Sequence, residues 1–290
     1  MSCRRLARSR VVPPLLLILL PAAWALAEPG DPGDIRELIA AAGTADDHPG
    51  ATTVVVFDRT DSDVEDSGLA HVVNHTLVKV LTEAGGVALG TQRFDYDPVT
   101  QLITIRAARI HRASGGVEEV DPALAVDSFQ PAHAIYWGAR MLTLQLPRLA
   151  VGDAVETETY RKGFMLAYLD PVIGEDARYI PPMRGHWYDV QVFRGAAPIR
   201  EKSVTVRTPR DKPLQFTVYN GEVFSETDFD STHFTYRFWK RDCLPLVFEW
   251  RGAPASDVAP KVVMATTEGW PTKSRWFWEA NQHQFEATPE

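Results

Sequence analysis

Leu69–Val120 reads LAHVVNHTLVKVLTEAGGVALGTQRFDYDPVTQLITIRAARIHRASGGVEEV, and its pattern decides the fold. Three β-rich runs follow one another here, and each ends in turn chemistry: Gly85-Gly86, then Asp97-Pro98, then Gly115-Gly116. In the first run Val72, Asn74, Thr76, Val78 and Val80 alternate with Val73, His75, Leu77, Lys79 and Leu81. In the third, Leu102, Thr104, Arg106, Ala108 and Ile110 alternate with Ile103, Ile105, Ala107, Arg109 and His111. Successive side chains on a strand point to opposite faces, so this period of two predicts a sheet with one face in a core. Short turns between the runs predict hairpin partners and an antiparallel meander.

Further strands are predicted outward from this nucleus. Thr52–Phe57 is a β-branched run, and the acidic stretch Asp58–Ser67 after it reads as a solvated turn. Its clustered aspartates lack the central glycine and closing glutamate of an EF-hand loop, so calcium is the weaker reading. Downstream candidates are Met141–Leu146, Ala154–Tyr160, His186–Phe193, Lys202–Arg207, Leu214–Tyr219, His233–Lys240 and Lys261–Ala265. Asp121–Gly138 reads as irregular, and Asn220-Gly221 is the strongest short hairpin signal in the chain. Ile35–Gly43 and Trp270–Gln284 have helical character, the second with Pro271 in its first turn. The expected class is all-β, a large two-layer antiparallel β-sandwich with a short C-terminal helix.

The N-terminus predicts export. Arg4, Arg5, Arg8 and Arg10 precede the apolar run Val11–Ala23, and Ala25-Leu26-Ala27 supplies a small-x-small cleavage site before Glu28. The expected layout is a signal peptide at 1–27, an acidic leader with a short helix at 28–50, a β-sandwich at 51–268, and a helix and tail at 269–290. Removing the signal removes four arginines and no acid, taking the net charge from −8 to −8 − 4 = −12. So acidic a chain is a poor match for nucleic acid or an anionic membrane surface. The destination is the periplasm or the medium, with no stable membrane anchor after cleavage. Cys3 leaves with the signal, so Cys243 is alone and stability rests on packing.

Several candidate chemistries fall to simpler readings. Cys243 would need a neighbouring base to act as a nucleophile, and RDCLPL carries no such signature. His71, His75 and His111 could suggest zinc, but positions four apart on a strand are separated by about 13 Å. Glu156 and Glu158 share a strand face and read as polar surface rather than an acid/base pair. Trp137, Trp187, Trp239 and Trp250 read first as core and second as a sugar- or peptide-binding groove. No cofactor or metal is implied.

Val78–Gly85 (VKVLTEAG), Ala108–Val117 (ARIHRASGGV), Leu146–Glu156 (LPRLAVGDAVE) and Pro260–Thr266 (PKVVMAT) form an ordered series ahead of Trp270 and Trp276. In that series the chain resembles the β-rich domain of unknown function that precedes a transglutaminase-like, papain-fold core in exported bacterial proteins. The resemblance implies a two-layer antiparallel sandwich. It also implies a departure, because the catalytic Cys, His and Asp of such proteins follow the tryptophan-bearing helix and that region is absent here. The expected function is a non-catalytic exported accessory module, structural or protein/peptide-binding, whose partner carries a transglutaminase-like domain. The alternatives are a split or truncated papain-like enzyme and an envelope glycan-binding sandwich. Trp270, Trp276, Phe277 and Trp278 form the expected docking surface, since three consecutive aromatics spread over about 200° of a helix.

Overall fold

The computed structural model describes residues 32–131, 138–164, 186–246 and 252–282. The expected signal segment lies outside these residues, as do His133, Tyr136, Trp137 and Trp250 and the side chain of Trp276. The strands in chain order are β1 (Thr53–Val64), β2 (Ala70–Val80), β3 (Thr91–Tyr96), β4 (Gln101–His111), β5 (Val117–Glu119), β6 (Val126–Phe129) and β7 (Arg140–Gln145). They continue with β8 (Ala154–Gly163), β9 (Tyr188–Val192), β10 (Ile199–Pro209), β11 (Gln215–Tyr219), β12 (Phe224–Phe229), β13 (His233–Cys243) and β14 (Lys261–Ala265). Helices α1 (Pro32–Ala41), α2 (Glu83–Leu89), α3 (Ala255–Val258) and α4 (Trp270–Asn281) complete the described chain.

The strands form an all-β, sandwich-like fold. Eight make one large sheet in the order β12-β13-β10-β1-β2-β8-β4-β5, and two three-stranded sheets, β11-β14-β9 and β3-β7-β6, accompany it. Register fixes which side chains share a face. Val64, Ala70, Val204, Val206, Tyr236 and Phe238 of the large sheet bury against Trp187, Phe193, Leu214, Val262 and Met264 of the β9 sheet and its flanks. Val80, Ile105, Ala108, Ile110 and Val155 share that face and bury against Leu144, Leu146 and Leu149 on the β7 side. The two small sheets therefore cover different parts of one face.

On the opposite face, α1, with the turn that follows it, seats Ile35 and Ala42 over Val54, Phe57, Leu77 and Ala154. Lys79 anchors its end, donating from Nζ to Ile39 O at 2.9 Å and Gly43 O at 2.7 Å. Those are carbonyls left without partners at a helix C-terminus, where a cation is also favoured by the macrodipole.

Four expectations are corrected. First, the large sheet is mixed, because β1 pairs parallel with β10. Second, the three central runs are not a meander. β2 pairs with β1 and β8, whereas β3 crosses to the small sheet and pairs with β7. Gly85 and Gly86 sit in α2, capped by Thr82 Oγ1 accepting from Gly85 N at 3.2 Å. A Cβ on Gly85 would lie 2.1 Å from Thr52 O, so the glycine permits close approach of helix to strand rather than a turn.

Third, β1 does not stop at Phe57 but runs through the acidic stretch to Val64. Thr60, Ser62 and Val64 are buried on one face, and the charges between them are matched laterally. Asp58 meets Lys202 at 2.7 Å and Arg59 meets Glu201 at 3.1 Å. A charge run that reads as a turn is thus a strand whose neighbours carry the opposite charges. Fourth, Asn220-Gly221 adopts the left-handed turn its residues favour, with φ of 61° and 138°, yet joins no hairpin. β11 pairs with β14 while β12 pairs with β13, so the turn carries the chain between sheets. Three short strands, β5, β6 and β12, also lie in stretches with no strand expectation.

Candidate functional site

Three places could carry function: a buried carboxylate cluster, a cleft between the small sheets, and the surface of α4. The first corrects the reading of Glu156 as polar surface. Glu156 faces α1's side of the sheet and is only 1% exposed. His75 Nε2 donates to its Oε1 at 2.8 Å, His111 Nε2 donates to its Oε2 at 2.7 Å, and Arg109 Nη1 lies 3.3 Å from Oε1. Register explains the convergence, since Arg109 stands opposite Glu156 on β8 and His111 opposite Ala154. Burial alone would raise the carboxyl, but the two histidine hydrogen bonds and the charges of His75 and Arg109 outweigh it and hold it at about 2. Both oxygens are committed, so Glu156 is a fixed anion and a poor proton shuttle.

His71 belongs elsewhere. Its Nδ1 lies 2.7 Å from Tyr160 Oη and its Nε2 lies 2.7 Å from Glu65. The three histidines therefore serve two carboxylates, and among the described residues no group of three metal-ligating side chains is placed to hold an ion.

Cys243 is buried at the end of β13, and burial pushes its thiol up. His233 sits at the other end of the same strand, about 33 Å away at roughly 3.3 Å per residue, so the two cannot form a dyad. Native protein is expected to leave Ellman's reagent unreacted, with the thiol titrating only after unfolding. Rapid reaction in buffer would show that Cys243 is open to substrate.

The second place is a cavity of about 370 Å³ over the middle of the large sheet. Its floor is the polar part of the face whose two ends the small sheets cover, including Asp58, Asn74, Thr159, Arg161 and Lys202. Phe94 of β3 and Asp189 and Gln191 of β9 wall it. Asp189 is 9% exposed, and burial raises its carboxyl. Sequence reading missed this site because its residues come from strands far apart in the chain.

The third is α4. Trp270 is 78%, Phe277 54% and Trp278 58% exposed. Pro271, Lys273, Ser274 and Arg275 are exposed too, leaving Thr272 as the half-buried member among α4's described side chains. Lys273 Nζ lies 5.4 Å from the Trp270 ring centroid, a cation–π contact on the helix's own surface. The other aromatics behave as core or packed surface: Trp187 is buried, and Trp239 stacks on Phe224 with ring centroids 5.9 Å apart.

Residues 66–245, from the turn before β2 to just past β13, match the domain of unknown function DUF3857. The chain belongs to this family. The DUF3857 match omits β1, although β1 is the strand that joins β2 to β10 in the large sheet. The structure of a "putative protease" from Parabacteroides distasonis is similar at a TM-score of 0.61, with 13% identity, over 75% of this chain and 41% of that one. An M1 zinc metallopeptidase from Deinococcus radiodurans is more distant, with a TM-score of 0.35, 14% identity, and coverage of 73% and 42%. This DUF3857 chain thus spans less than half the length of either structure. The Parabacteroides likeness shows a shared fold at low identity. No curated protein matches the sequence.

Proposed function

We propose that this DUF3857 chain is a non-catalytic, exported accessory module that docks through α4 onto a transglutaminase-like, papain-fold catalytic domain. The observation that carries the proposal is the surface of α4, where Trp270, Phe277 and Trp278 are all more than half exposed. Large aromatics grouped on one element are the residues that dominate protein interfaces. The choice of occupant rests on the family-like series of motifs, which elsewhere precedes such a domain. The Parabacteroides structure supports it further, because the shared fold fills 41% of a longer chain described as a protease. The non-catalytic part rests on the buried Cys243, remote from His233, and on Glu156, whose oxygens are both taken.

The test pairs residues 28–290 with a purified transglutaminase-like domain from the same organism in a calorimetric titration. Trp270→Ser combined with Trp278→Ser is expected to weaken association by on the order of tenfold or more, with thermal stability nearly unchanged. A large fall in stability with association unaltered would show that the rings belong to the fold, and would end the docking idea. Residues 28–290 alone are expected to show no amine incorporation or peptide cleavage. Turnover abolished by Cys243→Ala would reverse the non-catalytic reading.

A further inference from the structure

We infer that the cavity between the two small sheets is a binding site for an extended peptide ending in a free carboxylate, with Arg161 receiving that carboxylate. This site is distinct from the α4 surface and stands independently of it.

Two acids, Asp58 and Asp189, and two bases, Arg161 and Lys202, line the cavity, and they are unevenly paired. The buried Asp189 carboxylate accepts from Val190 N at 2.8 Å and Gln191 Nε2 at 2.7 Å and reaches neither base. Asp58 and Lys202 neutralise one another at 2.7 Å, and Asn74 Nδ2 adds a hydrogen bond to Asp58 at 2.9 Å. Arg161 has no such counter-ion: among the described residues no carboxylate lies within ion-pair distance of it. Its Nη1 donates to Asp95 O at 2.9 Å and to Gln101 Oε1 at 3.2 Å, both neutral acceptors. Asp95's own carboxylate is taken by Arg93 at 2.7 Å. Burial pushes the Arg161 guanidinium down, and the charge of Asp95 only partly opposes this. A guanidinium anchored through one nitrogen and lacking an anion keeps donors for a planar, two-oxygen partner, which is the geometry of a carboxylate.

The surroundings select a peptide. β9 and β3 are edge strands of their sheets, and side chains from both line the cavity. An edge strand presents unpaired backbone donors and acceptors, the template on which extended peptides add as a further strand. Phe94, Phe164 and Trp187 supply apolar wall for a side chain near the peptide's end. Thr159, opposite Asn74 in the β2–β8 register, offers a hydroxyl beside Arg161. Asn74, whose Nδ2 is taken by Asp58, Arg59 O and Thr60, offers its side-chain carbonyl as an acceptor. The volume, about 370 Å³, lies at the small end of ligand sites, so two or three terminal residues would fill it.

The experiment uses residues 28–290 with three probes: N-acetyl-Ala-Ala-Phe as the free acid, the same peptide as its C-terminal amide, and galacturonic acid. Calorimetry is expected to show the free acid binding at least tenfold more tightly than the amide, with the sugar acid weaker than either. Arg161→Gln is expected to abolish the difference between acid and amide. Because that variant also loses the bonds to Asp95 and Gln101, a second readout uses the unaltered protein. The side-chain resonances of Arg161, Asn74 and Gln191 should shift with the free acid and not with the amide. Equal binding of acid and amide would overturn the role of Arg161. Tighter binding of the sugar acid would overturn the choice of a peptide, and no binding or shift by any probe at about 10 mM would overturn the site itself.

Discussion

Replacing Glu156 with glutamine is expected to lower the unfolding free energy by about 3 kcal/mol or more at pH 7, the cost of breaking a buried charge pair from one side. The amide keeps one acceptor but turns its NH2 toward a second donor, so His75 or His111 loses its partner, as does Arg109's charge. The same change should alter the response to acid. The folded carboxyl, held at about 2, lies below its ordinary value of 4.5. Its stabilising contribution is therefore complete above about pH 4.5 and is lost as pH falls toward 2. A shift of that size corresponds to roughly 3 kcal/mol, so wild-type stability should drop between pH 5 and 2 by an amount the Glu156→Gln variant does not show. Urea denaturation at pH 7, 5 and 3 checks both parts. Parallel acid curves for the two proteins would show that other carboxylates govern the transition.

Phe238→Ala is the second substitution expected to have a large effect. Phe238 is 1% exposed on β13, and its ring meets Phe216 of β11 edge-on with centroids 4.9 Å apart. It packs in the cluster that joins the large sheet to the β9 sheet, beside Val204, Val262 and Met264. Truncation removes buried surface and leaves a cavity that rigid strands on both sides cannot close, a cost of about 3–5 kcal/mol. For a chain of this size that corresponds to roughly 6–20 °C in Tm. Phe229, 61% exposed on the neighbouring β12, is the control, and Phe229→Ala should cost no more than about 1 kcal/mol. Calorimetric melting of both variants decides. Similar losses would mean that the β9 sheet contributes little to the cooperative unit.

Strand content was legible wherever one face is apolar and the other polar. β2, β4, β13 and β14 lie where alternation places them, because each buries a recognisable row. Pairing was not legible. Nothing local says that β3 abandons β2 for β7, since the crossing is set by close packing of α2 on the chain before β1, where Gly85 meets Thr52. β12 escaped because all six of its side chains are exposed and show no alternation. β8 misled in the other direction: Ala154–Thr157 is buried on both faces, so Glu156 looked like surface until β4 and α1 were in place. His75, Arg109, His111 and Glu156 all lay on strands read from the sequence, but their convergence depends on register. Arg161 lies one residue past the expected strand Ala154–Tyr160, and its lack of a carboxylate partner among the described residues shows only once β8 runs on to Gly163 and β3 and β9 stand near it. The aromatic run of α4, being local, was visible from the start.

The parallel pairing of β1 with β10 sets an order on assembly. Asp58 waits for Lys202, 144 residues further along the chain, before its side of the sheet is complete. Until then the β-branched run Thr53–Phe57 has β2 along one side and nothing along the other. Contacts of such separation close slowly, and an open apolar strand edge invites pairing with another molecule in the meantime. Chains ending before residue 199 are therefore expected to aggregate at concentrations where residues 28–290 remain monomeric in light scattering. A soluble, monomeric fragment ending there would show that the first half of the sheet needs no partner on that side.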